Sequence, residues 1–234
     1  MGTEGMGAGA VDPERAWLYR AGGLSALAIG VGYLAIIPLY ARAGAPPSGG
    51  EAWLRYLAGR TAEWWAILGL SVLTDVLFVP VALALYWALE GINRGAMRVA
   101  TALVGLFVAV DLAVTWPNYA ALIVLSGRYA AATTDAQRAV AVAAAGYASA
   151  VLTSRLEAVY SILILSCAIL AIGLVMLRGT FGKGVAYVGV AAGVLGIVAV
   201  ASAAGVAVII ASVLTTVWAL VVGYRLYRLG LGRR

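Results

Sequence analysis

Six stretches of this chain are each long and apolar enough to cross a bilayer, and they leave little room for another architecture. A hydrocarbon core of about 30 Å takes roughly 20 apolar residues as helix. The stretches run over about 16–40, 61–89, 97–125, 152–177, 184–202 and 206–229. Only 11% of the 234 residues are charged, and the mean hydropathy is +0.99. Soluble domains are roughly a quarter charged, and disorder needs low hydrophobicity with high net charge. Both are excluded. The expected fold class is all-α: a polytopic integral membrane protein, one six-helix transmembrane bundle occupying residues 1–234 as a single domain.

The boundaries are marked by capping chemistry. Asp12 before Pro13 suits an N-cap and first-turn pair for the first span. That run is long enough to span and follows Asp12 and Glu14, so it reads as retained rather than cleaved. Met6 stands where a myristoylation signal wants Ser or Thr. Thr134-Asp135-Ala136-Gln137 is a capping box, which predicts a helix start there. The Ala-rich piece it opens, 135–150, is either an interfacial helix or an outward extension of the fourth span, and a seventh span over 138–154 stays open. The turn before the sixth span, Ser202-Ala203-Ala204-Gly205, has no charge.

Sixteen basic residues set the orientation. Arg15, Arg20, Arg94, Arg98, Arg178, Lys183, Arg225, Arg228, Arg233 and Arg234 fall on one side; Arg42, Arg55, Arg60, Arg128, Arg138 and Arg155 fall on the other. Ten against six puts both termini in the cytoplasm by the positive-inside rule. Trp17, Trp87, Tyr224 and Tyr227 would then mark the inner interface, and Tyr40, Trp53, Trp64 and Trp65 the outer one. The connector with Pro46-Pro47-Ser48-Gly49-Gly50 reads as flexible and without a motif.

The chemistry is narrowed by what is missing. The chain has no histidine, which removes His-ligated haem, the usual zinc sites and imidazole-based nucleophile pairs. Cys167 is the single cysteine and Lys183 the single lysine, and no lysine lies deep in an apolar run to carry a Schiff base. No Walker-type loop is present, and Thr74-Asp75 and Val110-Asp111 are not the contexts of intramembrane aspartyl proteases. No metal site and no cofactor is implied. The net charge of +6 with a pI near 9.7 fits arginines anchored to lipid headgroups better than a nucleic-acid surface. The partners expected are membrane lipids, with a second copy or other membrane subunits left open.

Asp75 and Asp111 lie near the middle of the second and third spans. A central Asp costs about 2.5–3.5 kcal/mol to insert, so neither should face lipid, and an ionisable residue at that depth is a candidate functional group. The alternative is a protonated Asp acting as packing glue, with Ser71, Thr74 and Thr115 within local reach. A short loop makes the two spans antiparallel neighbours, which sets the carboxyls at one depth. Two carboxylates there would repel, so at least one proton is expected on the pair.

Ser166, Cys167, Thr215 and Thr216 extend the polar layer, and Asn118 falls two helical turns beyond Asp111 on nearly the same face. Pro80 and Pro117 are candidate kinks. The glycines, Gly189-x-x-x-Gly193 among them, read as helix packing. Arg155 and Glu157 read as outer interface charges, Arg155 on lipid phosphate and Glu157 in water. Glu63 reads as a solvated first-turn acid.

Tyr19-Arg20-Ala21-Gly22-Gly23 opens the first span, and Ala84-Leu85-Tyr86-Trp87-Ala88-Leu89 runs into Glu90-Gly91-Ile92-Asn93-Arg94 before the third. In these stretches the chain resembles an uncharacterised prokaryotic family of six-helix membrane proteins, the domain of unknown function numbered 4386. Before the fifth span, where that family tends to place a proline and a basic residue, this chain has Gly182-Lys183. The resemblance implies the fold and membrane location, but no catalytic residues. Function is read first as a membrane protein without catalysis, acting in assembly, regulation or lipid organisation. A small transporter or solute-binding permease component using the polar layer comes second, and an enzyme last.

Overall fold

The computed structural model describes residues 13–179, 181–202 and 205–232. The Asp12 cap, the residues around Met6, and Ala203 and Ala204 of the last turn lie outside them. The chain is all-α, a polytopic bundle of membrane helices. Five segments are long and apolar enough to cross a membrane: Arg15–Ala43, Thr61–Ala131, Arg155–Met176, Lys183–Ser202 and Gly205–Gly230.

Helix α1 covers Pro13–Ala43 and α2 covers Gly50–Leu57; α3 runs over Thr61–Val110. At Asn93 (φ −153°, ψ 88°) the backbone of α3 leaves helical geometry, and the Asn93 side-chain oxygen accepts from the Ala96 N–H at 3.0 Å. An Asn whose carbonyl takes up an orphan N–H is a helix start. The arms on either side, 61–92 and 94–110, fold back on one another, with Phe78 edge-on to Phe107 and Trp64 stacked on Tyr119. A π-helical turn, Asp111–Thr115, continues the second arm into α4, Trp116–Ala131.

Beyond it come α5 (Asp135–Leu152), α6 (Arg155–Ala158), a second π turn (Val159–Leu163) and α7 (Ile164–Met176). Helices α8 (Lys183–Ser202) and α9 (Gly205–Gly230) complete the bundle. The Thr134 capping box is formed as the sequence predicts, with the Gln137 N–H donating to Thr134 Oγ1 and the Gln137 carbonyl accepting from the Thr134 N–H. Helix α5 does not run on into the next one. The chain breaks at Thr153 and Ser154, and Ser154 caps α6 by accepting from the Glu157 N–H at 3.2 Å.

Two apolar cores result. The larger lies among α1, α3, α7, α8 and α9. Helices α1 and α9 touch nearly backbone to backbone: a Cβ on Gly23 would meet Tyr227 N, and one on Gly223 would meet Gly23 O. A Cβ on Gly193 would likewise run into the backbone of Leu170 on α7. Bulk at such positions would force the helices apart.

The smaller core is a cap at the end remote from the start of α1 and the end of α9, and it corrects two expectations. The connector after the first span is not featureless: Gly50, Trp53, Leu54 and Leu57 of α2 are buried against α4 and α5. Trp53 and Trp64 are each 1% exposed rather than anchored at the lipid interface. They pack with Tyr40, Tyr56 and Tyr119 in edge and stacked contacts of 5.5–5.9 Å. The reason is α5, which roofs them and takes over the burial that lipid would have supplied. Trp65 still faces outward. Ser126 Oγ donates to Leu54 O, and the Gly49 N–H donates to Ser149 Oγ, tying the cap together. On its exposed edge Arg55 donates to Glu51 at 2.6 Å, and this contact holds the Glu51 carboxyl below its ordinary range.

Candidate functional site

The antiparallel fold of α3 brings Asp75 from the first arm to Asp111 at the end of the second. Both side chains line one cavity, and the residues are 4% and 2% exposed. Ser71 and Thr74 share the buried face of the first arm, with Thr74 Oγ1 donating to Ser71 O at 2.8 Å. Trp116 Nε1 donates to Asp75 Oδ2 at 2.6 Å. Asp111 Oδ1 and Thr115 Oγ1 are buried and have no hydrogen-bond partner among the described residues.

The π turn determines which residues of the third span join the pair. It widens the helix by one residue per turn, so everything after it is rotated relative to α-helical register. Trp116 thereby joins Asp111 and Thr115 on the inward side. Asn118, which an unbroken α-helix would have put on the same face, does not line the site; its Nδ2 donates instead to Val114 O at 2.7 Å. Pro117, with no N–H to donate, stands two residues after this turn. The second π turn, Val159–Leu163, packs against the first, so both walls of the site carry widened backbone, a feature that recurs at functional sites.

Around the pair is a cavity of about 520 Å³. Its walls are aliphatic and aromatic, including Ile36, Phe107, Leu165 and Ile169, with Tyr33, Tyr40, Trp116 and Tyr119 presenting rings. Glu157 lines it too, correcting the reading of this acid as solvated. Ser154 starts α6 in an orientation that turns position 157 toward the bundle, while Arg155 points out and is exposed. Three carboxyls thus share one cavity, and none of its described lining residues is basic.

Of the other polar residues expected near this depth, Ser166 and Thr215 line the cavity; Cys167 and Thr216 do not. The glycines read as packing elements do pack: Gly30 against Leu220 and Gly32 against Thr74. Sequence reasoning missed the ring of Tyr33, Trp116 and Tyr119, and placed Tyr40 at the interface. Only Trp116 carried a signal, since it stands one position before a proline and one turn after an intramembrane acid.

No three His, Cys, Asp or Glu side chains among the described residues are gathered so as to hold a metal ion. Compared with protein-family models, with curated proteins and with solved structures, the chain matches none.

Proposed function

We propose that this chain is a small solute-binding membrane protein, a transporter or permease component, whose site is the cavity around Asp75 and Asp111. The observation that carries the reading is three carboxyls lining one apolar-walled cavity with no basic partner among its described lining residues. Acids serving only as packing glue would use up their hydrogen-bonding capacity on neighbouring helices. Here Asp111 Oδ1 and Thr115 Oγ1 are left without partners at the cavity wall. Its size is that of a small-molecule site, about 300–1,000 Å³. The acid pair acts as a proton or cation site, and its work is binding and movement of a solute rather than covalent chemistry.

The same reading has six crossings with both termini cytoplasmic. The reversal at Asn93 supports the count, since 71 unbroken helical residues would extend about 107 Å at about 1.5 Å each, over three times the hydrocarbon thickness. The ten-to-six division of basic residues supports the orientation. Membership of the six-helix family numbered 4386 is supported by the Tyr19–Gly23 and Ala84–Arg94 stretches. The test is proteoliposome flux together with ligand-dependent thermal stabilisation of the purified protein. Counterflow or a pH-driven solute flux that is lost in Asp111→Asn supports the reading. A protein that neither moves nor is stabilised by any solute would return it to a role in assembly, regulation or lipid organisation.

A further inference from the structure

We infer that the ligand of this cavity is an organic monocation with an apolar body, such as an aryl or alkyl ammonium, and that it reaches the site from the bilayer between α1 and α9. The inference rests on the solute-binding reading above and names the class of solute.

The charge balance comes first. Asp75, Asp111 and Glu157 line the cavity, and the other titratable groups facing it are Tyr33 and Tyr40 of α1 and Tyr119 of α4. Helices α7 and α9 contribute hydroxyls, Ser166, Ser212 and Thr215, and aliphatic side chains. Every ionisable group on the wall therefore becomes negative or stays neutral. Carboxylates held together away from water repel one another, so each needs a proton or an external cation. Asp111 and Thr115, whose Oδ1 and Oγ1 have no partner among the described residues, both line this cavity.

A bare metal ion fits poorly. No trio of acidic side chains among the described residues converges as a metal ligand set, and a cavity of about 520 Å³ is far larger than an ion. An organic cation fits on both counts. Its charge meets the Asp pair, and the aromatic side chains of Tyr33, Tyr40 and Trp116 line the same space, as aromatic rings do around organic cations. Its body fills the space bounded by Ile36, Ile37, Ile162, Leu165 and Ile169.

The route follows from where the cavity wall reaches the outer surface of α1 and α9. They touch at Gly23 and Gly223, toward the termini. Toward the cap, Ala41 and Ile209 both line the cavity and lie on the outer surface. The cavity wall therefore reaches the outer surface at the cap end of α1 and α9, near the boundary of the bilayer where amphiphilic cations partition from water.

The experiment titrates the purified full chain in nanodiscs with trimethylphenylammonium, with its neutral isostere tert-butylbenzene and with benzenesulfonate, reading affinity by calorimetry and thermal stabilisation. The cation should bind saturably, the neutral isostere at least tenfold more weakly, and the anion not at all. Because the cation displaces a proton from the pair, its affinity should rise with pH, with proton release visible as a buffer-dependent heat. Asp75→Asn and Asp111→Asn should each weaken the cation at least tenfold and leave the neutral isostere unchanged. Ile209→Trp should slow association severalfold. Equal binding of cation and neutral isostere, with no proton release, would overturn the cationic class yet leave a solute-binding cavity, one suited to a lipid chain. Binding of none of the three would overturn the cavity reading along with it. The comparison of probes on the unmodified chain decides this even where an Asn variant fails to fold. An unchanged association rate in Ile209→Trp would overturn the lateral route.

Discussion

Trp116 is the residue on which the Asp pair leans most visibly. Its indole N–H is a donor supplied to Asp75 from inside the bundle. Trp116→Phe keeps most of the ring and removes that donor. Leaving a buried acceptor short of a partner costs about 1–3 kcal/mol, so this variant should unfold at lower temperature and bind the cation probe more weakly. Asn118→Ala is the matched control, because Asn118 spends its amide on its own helix. Probe affinity should be unchanged there, and a loss comparable to that of Asp111→Asn would mean the π turn does not hold the rotation seen in the structure. Cys167→Ser should be equally silent in binding, since Cys167 does not line the cavity.

Among the elements, α5 is the one that changes what its neighbours mean. It starts on a complete capping box at Thr134 and Gln137, and it covers the aromatic cluster. Thr134→Ala should cost about 1 kcal/mol, read as earlier proteolytic cleavage or faster hydrogen exchange within α5. Trp53→Ala empties a site 1% exposed and should cost about 3–5 kcal/mol. In that variant α2 should lose protection before the bundle does. Uniform loss across all helices would show the cap and bundle to be one cooperative unit. The α1–α9 contact behaves differently: Gly23→Leu meets the Tyr227 backbone, which cannot yield as a flexible side chain can, and should abolish stable insertion.

At the scale of the whole molecule, the start of α1, the end of α9 and the Asn93 reversal lie at one end and the α2–α5 cap at the other. Arg15 pairs with Glu90 at 3.7 Å and lies 4.6 Å from the Trp87 ring, binding the start of α1 to the turn of α3. Under the proposed topology, single cysteines replacing Ser48 and Arg94 in a Cys167→Ser background should label from opposite sides of the membrane. Labelling of both from the same side would reject the topology.

The membrane architecture was legible in the sequence because bilayer insertion responds to hydropathy summed over about 20 residues, a local quantity. The last two spans, expected over 184–202 and 206–229, differ from α8 and α9 by a single residue at most ends. The placement of Asp75 and Asp111 at one depth was legible too, since counting residues along two antiparallel helices gives their level. Rotation about the helix axis was not. One π turn moved Asn118 off the site and brought Trp116 onto it, and nothing in the spacing of side chains records an extra residue in a turn. Nor could hydropathy tell that Trp53 and Trp64 would be roofed by α5, or that Glu157 would turn inward rather than to water. Those outcomes depend on which surface packs against which, and the tertiary structure alone decides that.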